Sequence, residues 1–438
     1  MQPGPSTPQP TDKPSTTKPS LAKPLISTWR TPAVIVACGC LIATITYGPR
    51  SSFGFFMAPM TLDNAWGRDV FALSVAMQTL IYGMAQPFSG ALADKFGTVR
   101  VIIIGALLYA SGVFMMSRAT TPGELYLTSG VLIGLGLTGC SFSLIIPSFG
   151  KLLPENWRTM SFGAGTAAGS FGQFLFSPLG VSLIDKVGWR ATLEIFACII
   201  LLVIPLSFAI ATSRQDASSP TKPGTWSANV VPGQTWKGAL AEALGHRSFV
   251  LLVIGYFTCG FQLQFVTLHL PSYLIDRGLS VEVGGWTLGI IGLFNIIGAL
   301  LSGYLASRMP KRYILAFIYS TRALAVVFLI TMPAHPAVAL IYGAVTGLLW
   351  LSSVPPTSGL VAVMFGPRWL SMLIGITFLS HQIGGALGVY LGGLLYEVTG
   401  SYNIIWWGGV VFGILSALIN LPIVEKPVPR PAAVPAVA

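Results

Sequence analysis

Residues 90–100 read Gly90-Ala91-Leu92-Ala93-Asp94-Lys95-Phe96-Gly97-Thr98-Val99-Arg100, a charged turn set between two long apolar runs, 69–93 and 99–118. Gly90 and Gly97 permit a tight connection between two helices, because glycine adopts backbone conformations closed to other residues. A single acid, Asp94, sits among cations. Each flanking run reaches the roughly 20 apolar residues that a helix needs to cross the hydrocarbon core of a bilayer. The same texture repeats along the chain, with spans near 32–60, 69–93, 99–118, 122–150, 158–183, 189–211, 247–275, 283–307, 311–331, 336–364, 369–397 and 402–424. The runs are continuous, whereas a transmembrane barrel strand alternates over about 10 residues. The expected fold is an all-α membrane protein of twelve transmembrane helices.

Composition excludes a soluble enzyme: of 438 residues, 53% are hydrophobic and 9% charged, against about 25% charged in an ordinary soluble domain. The 25 Lys and Arg outnumber the 14 Asp and Glu, for a net charge of +11, yet they form no basic patch or nucleic-acid motif, so no nucleic-acid partner is expected. The five cysteines, Cys38, Cys40, Cys140, Cys198 and Cys259, lack metal-ligand spacing, and no Gly-x-x-x-x-Gly-Lys loop binds a nucleotide. Neither a metal nor a cofactor is expected.

Charge instead reports topology, because Lys and Arg near helix ends are retained on the cytoplasmic side. With the amino terminus inside, 18 of the 25 fall in the tails and cytoplasmic loops, against five outside, at Arg68, Arg118, Lys186, Arg190 and Arg277. Arg50 and Arg322 lie within spans. The expectation is a bacterial inner-membrane protein with both termini cytoplasmic. Residues 1–30, rich in Pro, Ser, Thr and Lys, form a disordered tail; 31–211 is a first six-helix half, 212–246 a polar linker, 247–424 a second half and 425–438 a tail. Internal repetition marks the halves: Gly90-Ala91-Leu92-Ala93 recurs as Gly303-Tyr304-Leu305-Ala306 at an offset of 213, and Asp185 and Gly188 recur as Glu397 and Gly400 at 212.

The 90–100 turn resembles the signature loop of the major facilitator superfamily, and a partial copy runs from Gly303 to Arg312. The resemblance implies two pseudo-symmetric halves alternating access around a central site. It also implies a gating role for Gly90, Asp94, Lys95, Gly97 and Arg100, as part of a cytoplasmic latch; otherwise these residues make a solvated charged turn. A narrower resemblance covers the first span and most of the second half. Tyr47-Gly48-Pro49-Arg50-Ser51 is similar to the Pro-Lys-Ser of monocarboxylate transporters. Leu351-Ser352-Ser353-Val354, Gly366-Pro367-Arg368 and Gly400-Ser401-Tyr402 resemble their last three helices. His269-Leu270-Pro271 and Ser380-His381-Gln382 look like bacterial members and the related oxalate/formate antiporters. Where that family carries an Asp and an Arg one turn apart in helix 8, this chain has Asn295 and Ala299.

Arg50 is the leading candidate for substrate contact. A guanidinium in a span costs several kcal/mol unless it faces a polar cavity or a partner, and no Asp or Glu lies deep in any span. Its planar fork matches a carboxylate; a structural role satisfied by carbonyls is the alternative. The 213-residue offset carries Arg50 to between Gln262 and Gln264, neutral groups for the other end of a small anion. Tyr47, Asn295, Trp350, His381 and Gln382 are further cavity candidates, with Ser143 and Gln173 behind them. His269 and His381, able to take a proton near physiological pH, are candidates for proton coupling. Arg322 is read as structural, bonded to a neighbouring helix.

The resulting expectation is a monomeric secondary transporter in the lipid bilayer. It would move a small, monocarboxylate-like organic anion, with a co-transported proton or a counter-anion. The second reading is a larger neutral or aromatic solute, favoured by Trp350 and the missing helix 8 cation.

Overall fold

The computed structural model describes residues 29–141, 144, 145, 148, 149, 152–211, 235–366 and 369–428, without the side chains of 87, 91, 94, 155, 156, 158–160, 162, 236 and 371. Ser143, Pro367 with Arg368, the Asp94 side chain, and most of the tails and linker therefore lie outside the described residues. Every regular element among the described residues is helical. In chain order they are α1 (Pro32–Ser51), α2 (Phe53–Asn64), α3 (Arg68–Phe96), α4 (Thr98–Met116), α5 (Pro122–Leu125), α6 (Ile133–Gly139), α7 (Glu155–Leu201), α8 (Val203–Ser207), α9 (Trp236–Gly245), α10 (Arg247–Asp276), α11 (Val281–Ala306), α12 (Lys311–Thr331), α13 (Pro336–Leu349), α14 (Val354–Phe365), α15 (Leu370–Thr399) and α16 (Asn403–Asn420).

Nine helical stretches among the described residues are long and apolar enough to cross a membrane. One of them, Gly163–Ile210, folds back at Gly188, whose φ of 81° is open to glycine and strained for other residues. Adding that doubling, the more polar α3, and the pass that runs from Pro122 through a π-helical segment (Tyr126–Leu132) into α6 accounts for the expected passes. Within the stretch 212–246, expected as a polar linker, Trp236–Gly245 is helical, its start capped by the Thr235 hydroxyl on the Gly238 amide.

Among the described residues, two passes are broken beside prolines, which remove a backbone donor. In the first, Pro49 precedes the junction at Ser52 that separates α1 from α2. In the tenth, residues 350–353 separate α13 from α14, which opens with Pro355 and Pro356. Two large hydrophobic cores form, one in each half, with a small third cluster of Ala306, Ile314, Ile318 and Leu349 in the second half. The large cores exchange a few residues, Leu268, Ala386 and Val389 joining the first and Phe55 and Val181 the second. The halves meet through α3 on α15, α7 on α11 and α2 on α10.

Close approach within the first half depends on glycine. An added Cβ at Gly172 of α7 would stand 2.6 Å from the Thr44 carbonyl oxygen of α1. In an open helix, Gly→Ala stabilises by up to about 1 kcal/mol. Here overpacking reverses the sign, and Gly172→Ala is expected to destabilise by roughly 1 to 3 kcal/mol. A raised melting temperature of the purified variant would refute the contact between α1 and α7.

Candidate functional site

Arg50 occupies the last turn of α1, half-buried, and its surroundings come from α3. Its Nε donates to Gln78 Oε1 and its Nη2 to Thr79 Oγ1, both at 3.4 Å, and the guanidinium lies 5.4 Å from the Tyr82 ring centre. Gln78 is oriented by its own amide nitrogen, which donates to the Ser129 carbonyl at 3.0 Å. The hydroxyls of Tyr47 and Tyr82 lie 3.0 Å apart, and Gln86 Nε2 donates to Tyr82 at 3.3 Å. No carboxylate among the described residues forms an ion pair with Arg50. The guanidinium thus keeps its full charge against two long bonds to neutral oxygens, a state that an incoming carboxylate improves.

Not all of the expected partners face this group. Gln262 and Gln264 are two apart on one helix and cannot share a face. Gln262 turns into the second half, donating to the Gly409 carbonyl at 2.8 Å, whereas half-buried Gln264 lies against Gly385 of α15. Trp350 is buried in the core of the second half and lines the same internal cavity as Gln262. The expectation of one shared cavity therefore fails for Gln262 and Trp350, because helix rotation sends both inward.

Asn295 is also committed to structure. Its Nδ2 donates to Ser170 Oγ of α7 at 2.8 Å, and its Oδ1 accepts from the Leu351 amide at 2.9 Å, satisfying the break between α13 and α14. Gln382 packs its stem on Gly83 across the halves. His381 Nδ1 lies 3.1 Å from Gln382 Oε1, and its ring packs 5.2 Å from Tyr256. His269 is fully buried with both ring nitrogens partnered: Nε2 donates to the Val389 carbonyl at 2.8 Å, leaving Nδ1 to accept from the Tyr402 hydroxyl at 3.2 Å. Of the gating group, Gly97 joins α3 to α4 with φ 89°, and Lys95 and Arg100 are exposed. An added Cβ at Gly90 would meet open space.

The sequence reading gave no role to Arg68, which joins the halves at the face where α2 ends and α3 begins. Its guanidinium donates to both oxygens of Asp276 at 2.7 and 2.8 Å and to Tyr402 at 3.1 Å, and it stacks 3.9 Å from the Tyr396 ring centre. Its backbone N–H donates to Glu397 Oε1 at 2.6 Å. One side chain of the first half thus engages three helices of the second, α10, α15 and the start of α16. Opposite charges at the far ends of the second and seventh spans were the available signal, but their pairing depends on tertiary packing.

Comparison with known proteins agrees with this architecture. The family model described as Major Facilitator Superfamily matches residues 39–355. The chain is 28% identical over 384 residues to the MFS-type transporter YcxA of Bacillus subtilis (strain 168), covering 86% of this chain and 91% of that one. It is 23% identical over 391 residues to monocarboxylate transporter 13 of Rattus norvegicus, covering 87% and 86%. Among solved structures, an inward-facing, occupied bacterial homologue of the human lysosomal transporter Spinster superposes with a TM-score of 0.69 at 13% identity, covering 89% of this chain and 96% of that one. The nucleoside transporter NupG gives 0.69 at 14%, covering 89% and 99%.

If the Arg68 cluster locks the two halves at this face, Arg68→Gln should favour the state open there. A partly exposed bidentate pair contributes about 1 kcal/mol after solvent screening, or roughly a fivefold change in the ratio of states. Thiol labelling of a cysteine introduced at Ser272, which is buried against Met57 across the seam between α10 and α2, should accelerate accordingly in the Arg68→Gln background. Unchanged labelling would assign the cluster a merely local role.

Proposed function

The chain belongs to the major facilitator superfamily, and from that premise we propose that it moves a small organic anion of the monocarboxylate class by alternating access, with Arg50 as the anion's principal contact. The protein is a multi-pass membrane transporter and not an enzyme. What supports the anion is Arg50 itself, a cation in a membrane span that has, among the described residues, two long bonds to neutral side chains and the face of the Tyr82 ring but no carboxylate. Tyr47, Tyr82 and Gln86 supply hydroxyl and amide groups beside it, and half-buried Gln264 is the offset candidate left from the second half, since Gln262 is bonded to the Gly409 carbonyl. A relative named as a monocarboxylate transporter points to the same class. The reading as a larger neutral solute loses Trp350, which is buried in the second half, and keeps only the absence of a cation at Asn295 and Ala299.

In this reading the Arg68 cluster closes one face while substrate exchanges through the other, and the cycle requires the cluster to part as the turn at 90–100 closes. His381 beside Gln382 is the candidate for proton coupling, and His269 is held as a link between α15 and Tyr402. The closed face is the outer side of a bacterial inner membrane, with both termini in the cytoplasm.

Binding to purified protein tests the Arg50 assignment. Arg50→Gln removes countercharge and fork together and should weaken monocarboxylate binding by about 1.5 to 3 kcal/mol. Arg50→Lys should retain part of it, since a point charge is an incomplete substitute for a planar donor pair. Equal affinity across wild type and both variants, each monodisperse in detergent, would eliminate the anion contact. For orientation, reporter fusions at Ser218 and after Ala438 should both score as cytoplasmic; a periplasmic score from either would reverse it.

A further inference from the structure

A cavity of about 20 Å³ lies inside the second half, lined among others by Gln262, Arg322, Tyr342, Thr346, Trp350 and Trp406. Arg322 comes from α12, is 3% exposed, and carries a full charge into this interior. One of its terminal nitrogens donates to Cys259 Sγ at 3.3 Å and the other to the carbonyls of Leu349 and Trp350, where α13 breaks. Its Nε has no partner among the described residues, and neither has Trp406 Nε1. No carboxylate among the described residues forms an ion pair with Arg322. The cavity wall therefore joins a guanidinium, bonded to a thiol and two carbonyls, to two buried, unused N–H donors, each costly to leave unmade.

The species that answers such a wall is negative, accepts hydrogen bonds and is small. By this measure a single water requires roughly 10–15 Å³, so the space suits one monatomic or triatomic ion rather than a larger carboxylate. Gln262 Oε1, also unpartnered, is an acceptor and works against an anion at its own end. Its amide dipole is outweighed by the guanidinium charge in a low-dielectric interior. We propose that this cavity is a co-ion site for one small monovalent anion of chloride or formate size, bound between Arg322 and Trp406. It lies within the second half and is separate from the Arg50 group of α1, so it does not rest on the function proposed above. Because Arg322 also ties the carbonyls at the break between α13 and α14, the bound ion stabilises the second half.

The test measures melting temperature of the purified full chain in sodium gluconate, chloride or formate at constant ionic strength. A ligand that binds only the folded state raises it saturably. Wild type should show such a rise in chloride, formate or both, and the two arms identify whether an inorganic ion or a small carboxylate is preferred. Trp406→Phe removes one donor while preserving a ring that packs edge-on to Phe265 at 4.7 Å, and should abolish or right-shift the rise at least tenfold. Arg50→Gln should leave the chloride-dependent rise intact, and the formate arm is read in that background because formate is itself a monocarboxylate. Bromide soaked into crystals should appear by anomalous scattering between Arg322 and Trp406. Identical melting in all three salts overturns the proposal. So does a rise that, in the Arg50→Gln background, survives Trp406→Phe or is absent from both chloride and formate, because the ion then binds elsewhere.

Discussion

Hydrocarbon offers no water to an unpaired N–H or C=O, so each backbone group freed inside a membrane span must find a partner within the protein. Much of this architecture follows from two places where the chain violates the simplest solution. At the junction of α1 and α2, the Gly48 carbonyl accepts from Ser51 Oγ at 2.6 Å, and Ser52 Oγ reaches the Phe176 carbonyl at 2.8 Å. At the break after α13, Arg322 takes the carbonyls of Leu349 and Trp350, and Asn295 takes the Leu351 amide. At these two places the polar side chains serve as repairs to broken helices. Arg50 differs, since it repairs no backbone group by side-chain bonding.

The repairs also connect the halves. Asn295 holds the tenth pass with one end and Ser170 of α7 with the other, and Gln173 Nε2 donates to the Leu288 carbonyl of α11 at 3.2 Å. These contacts are neutral and few, while glycines let backbones approach at the same seams; an added Cβ at Gly292 would stand 2.6 Å from the Ser170 carbonyl oxygen. Small-residue interfaces of this kind slide without unlocking large side chains. Among the described residues, ion pairing between the halves is found in the Arg68 cluster at one face, where Arg68 pairs with Asp276.

The two arginines inside the membrane show how one residue type takes two roles. Arg50 is half-buried with its acceptors at the limit of hydrogen-bond length, and Arg322 is enclosed, with its terminal nitrogens bonded and its Nε free. Neither has a carboxylate partner among the described residues. Solvent access separates them: Arg50 is half-buried and Arg322 is enclosed, the difference that the exchange and retention proposed above require.

Sequence alone determined the class of fold, because continuous apolar runs of spanning length admit one solution in a bilayer, and the glycine-bounded turn at 90–100 identified the superfamily. It also isolated Arg50, since a cation in a span stands out against apolar neighbours. Which polar residues share a space was decided only by tertiary structure. Gln262 and Gln264 differ by two positions and point to opposite sides of α10; Asn295 and Trp350 are polar or aromatic in sequence but serve the break between α13 and α14 and the core of the second half. Arg68 and Asp276, separated by 208 residues, become partners only when α3 and α10 are brought side by side. Hydropathy fixes that a helix crosses the membrane and leaves its rotation free. Rotation is set by packing against neighbours that are distant in the chain.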